Sequence, residues 1–459
     1  MFFALLLTIF LFSSSPILSS GNQFGLHLTQ TSDINSAAPL INSNGGNWGW
    51  VTIVIRNDQL DYNDWQDFFD NCRRLHLIPI LRLATTINPD GTWNRPQKTD
   101  INKLISFLNS LNWPTKKRHL VLYNEINHAS EWGGEVNIES FVDLASYAIQ
   151  KLKQTNPDFY VLSTPLDLAS PDSVPNHLSA PATYRQILAK NPSFFDQIDA
   201  LASHSYPNHG YVGLPTDTGR YSILGYQWEL AFLKSLGVNK TFPVFITETG
   251  WPHRQGQQNE NSYYAIATAA KFLENAFQIW SKDPKIIAVT PFIYNYPNPP
   301  FDHFSWLDSN QKLYPEYQQL INLPKTPNKP EQITSYQTQK IKLPFIIFSH
   351  HQYFGKIILK NTGQSIWGAE ETSFCLSPQT TANIKLDQIC TNNQIILPGQ
   401  TQTFEFNFEI IPTPEHSGKS FLSWQNLPPF AITPITDNST IYRPKTGLMQ
   451  KIINFFRHP

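Results

Sequence analysis

Short apolar runs alternate with amphipathic stretches along the first two thirds of the chain. Runs such as Ile78–Leu83 and Val244–Glu248 are rich in large apolar side chains, which is typical of strands buried on both faces. Stretches such as Tyr62–Leu75 and Ile138–Leu152 show the apolar spacing of helices that bury one face. The predicted strands are Gln23–Thr29, Trp50–Ile55, Ile78–Leu83, Leu120–Asn124, Tyr160–Pro165, Ile198–His204, Val244–Glu248 and Ile286–Ile293.

This alternation covers residues 21–323 and predicts an α/β fold. Eight strands alternating with helices, over about the length that such a fold needs, favour a (β/α)8 TIM barrel. A doubly wound parallel sheet is the alternative. It fits less well, because no glycine-rich phosphate-binding loop follows the first predicted strand.

The pattern changes after Leu323. Residues 324–335 are rich in proline and polar residues, and we expect an extended linker rather than packed structure there. Across residues 336–445, short alternating segments such as Ile341–Ser349 and Thr401–Ile410 are separated by turn formers. This spacing predicts a C-terminal all-β sandwich.

Both ends of the chain carry apolar segments. Residues 1–20 combine an apolar stretch with a following serine-rich stretch, which is typical of a secretory signal peptide. No Lys or Arg precedes the apolar stretch, so an uncleaved membrane anchor is the alternative. Both readings predict a secreted or cell-surface protein. The tail, residues 446–459, is expected to pack on the sandwich or to fray, with a membrane-surface segment as the alternative.

The composition narrows the choice of partners. A net charge of -1 gives no indication of nucleic-acid binding. The 12 Trp residues suit a protein that stacks on sugar rings, although core packing also uses them. Cys375 and Cys390 are equally compatible with a disulfide and with two free buried thiols. Cys72 lies in a helical pattern and is expected to be a small buried apolar residue.

Two glutamates end predicted strands, and they are the strongest candidates for chemistry. Glu125 follows Asn124 at the end of the fourth strand, and Glu248 ends the seventh. Catalytic groups of barrel enzymes lie at the carboxyl ends of the strands. A pair of carboxylates at that position is what acid/base cleavage of a glycosidic bond requires.

With Ile246-Thr247-Glu248-Thr249-Gly250-Trp251, these two strand ends resemble the retaining glycoside hydrolases of clan A, over roughly residues 22–322. The resemblance implies that Glu125 is the acid/base and Glu248 the nucleophile. It also implies substrate contacts by His204 and Tyr206, with a buried core role as the alternative for His204. Asn124, beside the acid, is a candidate for holding a substrate hydroxyl, with a helix N-cap role as the alternative. Arg82 is expected to steady Glu248, although clan members more often carry such an Arg after strand two, where this chain has Arg56.

Aromatic residues complete the expected sugar site. Trp132 and Trp251 follow the two glutamates closely and are candidates for stacking on substrate. The clan usually places a Trp at the end of strand eight. None is present there, so Tyr296 and Trp306 are the candidate substitutes. The later segment Asn361-Thr362-Gly363, with Trp367, resembles immunoglobulin-like sandwich modules.

The sequence therefore predicts an exported glycoside hydrolase that acts with retention on β-linked sugars. Its expected partner is an oligo- or polysaccharide substrate, and a monomer is expected. Motifs such as HExxH, CxxC and a P-loop are absent from the sequence, so we expect neither a metal nor a cofactor. The alternatives are an inert glycan-binding surface protein on the same barrel and a transglycosylase that remodels a cell-surface polymer.

Overall fold

The computed structural model describes residues 21–368, 374–379, 383–391, 394–411, 420–425, 427 and 429–434. The chain divides into two compact units, residues 1–332 and 333–459. The segments predicted as a signal peptide or anchor (1–20) and as a tail (446–459) lie outside the described residues. Within the described ranges, no helix combines the length and the apolar character needed to cross a membrane.

The first unit contains the predicted parallel strands. They are β1 Gly25–Leu28, β2 Gly49–Arg56, β3 Leu77–Ala84, β4 Arg118–Val121, β5 Phe159–Leu162, β6 Leu201–His204, β7 Val244–Glu248 and β8 Ile286–Val289. One parallel sheet has the order β1-β2-β3-β4-β5 and a second has the order β6-β7-β8. Isolated parallel bridges join Leu162 to Ala200 and Phe24 to Val289, so the two sheets meet at both seams.

Helices connect most of these strands. They are α1 Ile34–Ile41, α2 Tyr62–Arg74, α3 Lys98–Ser110, α4 Ile138–Thr155, α5 Ala180–Lys190, α6 Gly225–Ser235, α7 Ile266–Trp280 and the short α8 Pro315–Gln318. The predicted starts of α2 and α4 are correct. Asp61 caps α2 by accepting hydrogen bonds from the backbone of Asn63 and Asp64, which explains the sharp start of that helix.

Burial follows from the parallel arrangement. All residues of β3 are buried, as expected for a strand that is covered on both faces. On the outer face, helix side chains such as Phe69 and Leu152 join the large core cluster, and Cys72 is buried there as predicted. On the inner face, side chains from β2 through β8, among them Trp50 and Phe245, form a second cluster. These strands therefore share one interior, and their carboxyl ends face the same side.

The proline-rich segment corrects one expectation. Residues 324–332 belong to the first unit and pack against it instead of forming a free linker. The backbone of Lys325 donates to Asn44, that of Asn328 donates to Asn47, and Lys116 pairs with Glu331. The polar residues between the prolines thus supply the hydrogen bonds that prolines cannot donate, which holds the segment in place.

The described residues of the second unit form only β-strands and their connections. A four-stranded antiparallel sheet has the order β12-β14-β10-β9, and β11 pairs with β13 and β15 with β16. The strands are β9 Tyr336–Lys342, β10 Gln352–Asn361, β11 Cys375–Leu376, β12 Ile384–Leu386, β13 Ile389–Cys390, β14 Thr401–Ile410, β15 Ser420–Leu422 and β16 Phe430–Ile432. The predicted strand Ile341–Ser349 is wrong in position. β9 ends at Lys342, shortly before Pro344, which has no N–H for a sheet.

Alternating side chains build the core of this unit. In β14, Phe404, Phe406 and Phe408 are buried, while the residues between them are more accessible. Trp367 is buried and stacks on Phe374. A disulfide joins Cys375 of β11 to Cys390 of β13 and resolves the two alternatives left open by the sequence. The immunoglobulin-like resemblance remains a prediction.

Candidate active site

The two candidate glutamates lie at the carboxyl ends of parallel strands. Glu248 is the last residue of β7, and the rest of that strand is buried. Glu125 follows β4 after a turn in which Tyr123 has a φ of 62° and Glu125 itself a φ of 26°. L-residues rarely adopt this left-handed region, and strained backbone of this kind clusters at functional sites.

His204, the last residue of β6, connects the two carboxylates. Its Nδ1 lies 2.7 Å from Glu125 Oε1, and its Nε2 lies 3.7 Å from Glu248 Oε1. Burial lowers the pKa of His204 to about 4, so the ring is neutral near pH 7 and carries one proton. When Glu125 is protonated and donates to Nδ1, that proton must lie on Nε2, on the side of Glu248.

The surroundings of Glu125 favour its protonated form. Burial is the main cause, and with the negative charge of Asp167 it raises the pKa of Glu125 to about 7. The positive charges of His128 and Arg82 oppose this shift. A carboxyl group that holds its proton near neutral pH is suited to donate it to a leaving group.

Glu248 has different neighbours. The Tyr206 hydroxyl donates a hydrogen bond to Oε2 at 3.2 Å, and His27 Nδ1 lies 3.7 Å from Oε1. Burial raises the pKa of Glu248, while His204, Arg82 and the Tyr206 hydrogen bond lower it. The charged form of Glu248 thus has stabilising partners that suit a nucleophile.

Arg82 lies in β3 and is buried near both carboxylates. Its positive charge lowers the pKa of Glu125 and of Glu248. The ring of Trp93 covers its guanidinium at 5.9 Å. Arg56, the position that the clan comparison favours, instead forms an ion pair with Asp58 at 2.6 Å. Of the two arginines, Arg82 is therefore the one with an electrostatic link to the carboxylates.

The three tryptophans predicted to contact substrate are packed in the core, which leaves little of their surface open to a sugar. Trp132, Trp251 and Trp306 are 1%, 3% and 1% exposed. Trp132 packs on Tyr123 and Phe141, Trp251 donates its indole N–H to the carbonyl of Gly213, and Trp306 stacks on Tyr317. A large aromatic ring removes more apolar surface from water when it packs in the core than when it lies on an exposed loop.

The end of β8 offers other aromatic residues. The partly buried ring of Phe292 meets His27 edge-on, with 5.3 Å between the ring centroids, and so lies close to the neighbours of Glu248. Tyr296 is partly buried and contacts Phe301. Tyr296 therefore remains a candidate contact, and Phe292 is an additional one that sequence reasoning missed because it sought a Trp.

Ionisable residues that the sequence did not single out surround Glu125. His128 Nε2 lies 2.8 Å from Asp167 Oδ2, and both groups interact electrostatically with Glu125. Burial raises the pKa of Glu131 to about 7, and the Asn124 side chain hydrogen-bonds to it. We call Arg82, His128, Glu131 and Asp167 the polar cluster. In the sequence, only their positions after β4 or β5 could have identified His128, Glu131 and Asp167 as candidates.

The described residues contain no group of three or more His, Cys, Asp or Glu side chains arranged to hold a metal ion. The nitrogen and oxygen atoms around Glu125 and Glu248 instead form pairwise contacts with one another. The chemistry that this arrangement supports directly is proton transfer combined with attack by a carboxylate.

No sequence model of a protein family matches the chain, and no curated protein matches it. Among solved structures, it is similar to a family 39 glycoside hydrolase from Bacteroides cellulosilyticus WH2, with 13% identity, coverage of 85% of this chain and 81% of that chain, and a TM-score of 0.45. A GH128 endo-β-1,3-glucanase from Pseudomonas viridiflava is 13% identical, with coverage of 67% of this chain and 99% of that chain and a TM-score of 0.42. The GH53 catalytic domain of Ignisphaera aggregans is 13% identical, with coverage of 68% of this chain and 98% of that chain and a TM-score of 0.44. Scores this low do not assign the chain to a family.

Proposed function

We propose that this protein is a glycoside hydrolase that cleaves β-linked sugars with retention of configuration, with Glu125 as acid/base and Glu248 as nucleophile. The observation that carries the proposal is the contact of one buried imidazole, His204, with both carboxylates. Two carboxyl groups held against one ring, one protonated near neutrality, suit a double displacement at a sugar carbon.

In the first step, Glu248 Oε attacks the anomeric carbon while Glu125 transfers its proton to the departing oxygen. The glycosidic bond breaks, a glycosyl ester forms on Glu248, and the alcohol leaves. In the second step, the ionised Glu125 removes a proton from water, whose oxygen attacks the same carbon and releases Glu248. The protonation states of both residues are then restored.

Neighbouring residues have distinct roles in this mechanism. Tyr206 donates to Glu248 and orients its carboxylate, and Arg82 stabilises the negative charge that alternates between the two glutamates. Asn124, next to Glu125, is proposed to bind a substrate hydroxyl. Its Oδ1 is buried and has no hydrogen-bond partner among the described residues, so it is available to a ligand.

The proposed fold is a closed (β/α)8 barrel. The bridges Leu162–Ala200 and Phe24–Val289 and the shared interior of β2 through β8 support closure. Export is also proposed. The Cys375–Cys390 disulfide supports it, since disulfides persist in oxidising compartments. In this proposal residues 1–20 act as a signal peptide or an anchor, and a poly- or oligosaccharide is the substrate.

The test is hydrolysis of a panel of aryl β-glycosides and β-glycans by the wild-type chain, Glu248→Ala and Glu125→Ala. We expect turnover of at least one substrate and a loss of several orders of magnitude in both variants. Analysis of the products separates hydrolysis from transfer to a sugar acceptor. Undiminished turnover in either variant would contradict the roles assigned here.

Glu229→Gln is the matched control. Glu229 is fully buried in α6, accepts hydrogen bonds from Tyr184 and Ser203, and has a pKa raised by burial to about 7, like that of Glu125. It differs in its position, since it contacts neither candidate glutamate in the described hydrogen-bond network. Turnover by this variant at near the wild-type rate shows that position at the strand ends, and not burial of a carboxyl group, determines activity.

A further inference from the structure

A cavity lies at the amino ends of the parallel strands, whereas Glu125 and Glu248 lie at their carboxyl ends. Its volume is about 460 Å³. Small-molecule sites have volumes of about 300–1,000 Å³, so the cavity has room for a ligand. The second residues of β2, β3, β4, β5, β7 and β8 line it, namely Trp50, Ile78, His119, Tyr160, Phe245 and Ile287. The cavity is therefore separate from the candidate active site.

His119 is a polar side chain in the aromatic part of this lining, and it is 4% exposed. The rings of Trp50, Tyr160 and Phe245 surround it, at centroid distances of 5.1, 5.2 and 5.6 Å. Its Nδ1 is buried and has no hydrogen-bond partner among the described residues. Burial and the charge of Lys117 lower the pKa of His119 to about 3, so the ring is neutral near pH 7. A buried polar atom without a partner destabilises the fold, and a ligand that bonds it removes this cost.

Lys117 supplies a positive charge to the same cavity. Its ammonium lies 4.8 Å from the centroid of the Tyr160 ring and forms no ion pair with a described residue. Among the described residues of the lining, Glu331 carries the one carboxylate, and Lys116 neutralises it at 2.5 Å. The positive charge of Lys117 is therefore uncompensated, which favours an anionic ligand.

The other polar side chains of the lining already have partners. The indole of Trp50, the hydroxyl groups of Thr115 and Tyr160 and the side-chain amide of Asn328 each donate a hydrogen bond to a backbone carbonyl. A sugar carries a hydroxyl group on most of its carbons and would find few free partners here. The lining instead suits a molecule with an apolar body, one anionic group and one hydrogen-bonding group.

We propose that the cavity at the amino ends of the strands binds a hydroxylated aromatic carboxylate. The carboxylate of the ligand pairs with Lys117, and its ring hydroxyl bonds His119. A hydroxyl group both donates and accepts, so it matches either tautomer of a neutral imidazole. Aromatic rings pack favourably edge-on against one another, so the aromatic lining favours an aromatic body over an alkyl chain. The proposal is independent of the proposed function, because it uses none of the residues at the carboxyl ends of the strands.

Titration calorimetry of the full chain with 4-hydroxyphenylacetate tests the proposal. The matched probes are 4-hydroxyphenylacetamide, which lacks the charge, and phenylacetate, which lacks the hydroxyl group. We expect the hydroxylated acid to bind about threefold to fivefold more tightly than the amide, as for an ion pair with an exposed lysine. We expect it to bind about threefold to tenfold more tightly than phenylacetate, which is the contribution of one hydrogen bond.

Two variants separate the two contacts. Lys117→Gln should remove the preference for the acid over the amide, and His119→Phe should remove the preference for the hydroxylated ring. Lys98→Gln is the matched control, because the Lys98 ammonium likewise lies over a tyrosine ring, 5.0 Å from the centroid of Tyr147. It should leave both preferences unchanged. Lys117 is exposed, so Lys117→Gln should fold normally and tests the proposal even if His119→Phe does not fold.

The proposal is overturned if no probe binds, if all the probes bind alike, or if Lys98→Gln reduces the preference for the acid as much as Lys117→Gln does. Glu248→Gln locates the binding and should leave the affinity for 4-hydroxyphenylacetate unchanged. A loss of affinity as large as that caused by Lys117→Gln would place the probe in the candidate active site and contradict the proposal.

Discussion

The two candidate carboxylates have different surroundings, although each is a glutamate at the end of a parallel strand. Glu125 lies among the ionisable side chains of the polar cluster. Glu248 lies beside an aromatic cluster formed by Tyr206, Tyr211, Phe292 and Phe304. Burial raises the pKa of both. Asp167 adds to the shift at Glu125, whereas the Tyr206 hydroxyl opposes it at Glu248. Under the proposed function, these different neighbours are what separates the acid from the nucleophile.

The largest expected effect is the loss of activity when Glu248 is replaced. Glu248→Gln should lower kcat by roughly 10,000-fold, because an amide cannot form the glycosyl ester. The thermal unfolding midpoint should change little, since the substitution removes a buried charge and keeps the side-chain volume. Steady-state kinetics and calorimetry measure the two quantities. Glu139→Gln, on the exposed face of α4, is the matched control and should retain activity.

The second prediction concerns the core packing next to Glu125, where Trp132 contacts Tyr123. Trp132→Ala should destabilise the protein by about 3–5 kcal/mol, because it removes a large, fully buried ring. Trp93→Ala should cost less, since that ring is only partly buried. Chemical denaturation measures both. If Trp132→Ala weakened substrate binding and left stability unchanged, the assignment of Trp132 to the core would be contradicted.

The third prediction removes one hydrogen bond from the aromatic cluster. Tyr206→Phe takes away the donor to Glu248 Oε2, and a hydrogen bond to a charged group contributes about 1.5–3 kcal/mol. We expect kcat/KM to fall by roughly tenfold to a hundredfold. Without that bond the pKa of Glu248 rises, so the acidic limb of the pH profile should move to higher pH. Tyr147→Phe, whose hydroxyl bonds Asn102 on the helical surface, serves as the control.

The smallest expected effect is a shift in the pH dependence of kcat/KM, which tests the surroundings of Glu125. In the proposed mechanism Glu125 is protonated in the first step, so kcat/KM should fall as pH rises through its pKa of about 7. The positive charge of His128 lowers that pKa. His128→Gln should therefore move the basic limb to higher pH. A limb that stays in place or moves to lower pH would show that the polar cluster does not tune Glu125.

Much of the framework could be predicted from sequence, because buried parallel strands leave a clear apolar pattern. The positions of β2, β3 and β7 follow from it, and Glu248 stands out as a charge that ends an apolar run. Glu125 was equally visible, although β4 ends earlier than predicted, at Val121, because the chain turns at Tyr123 with a positive φ.

The features that the sequence pattern did not predict depend on contacts between residues far apart in the chain. Trp132, Trp251 and Trp306 have the same residue type whether they stack on sugar or fill the core, and only tertiary packing separates these outcomes. The pair His128–Asp167 joins loops after different strands, so its members carry no shared local motif. The aromatic cluster likewise combines two loops that are distant in sequence.

The most direct test of the central claim is azide rescue of Glu248→Ala on an activated aryl β-glycoside. Azide is small enough to occupy the space of the lost carboxylate and to attack from the same face. If Glu248 is the nucleophile, azide should restore turnover and the product should be an α-glycosyl azide. A β-glycosyl azide from this variant would instead assign Glu248 to the acid/base role. Full turnover without azide would place the nucleophile elsewhere.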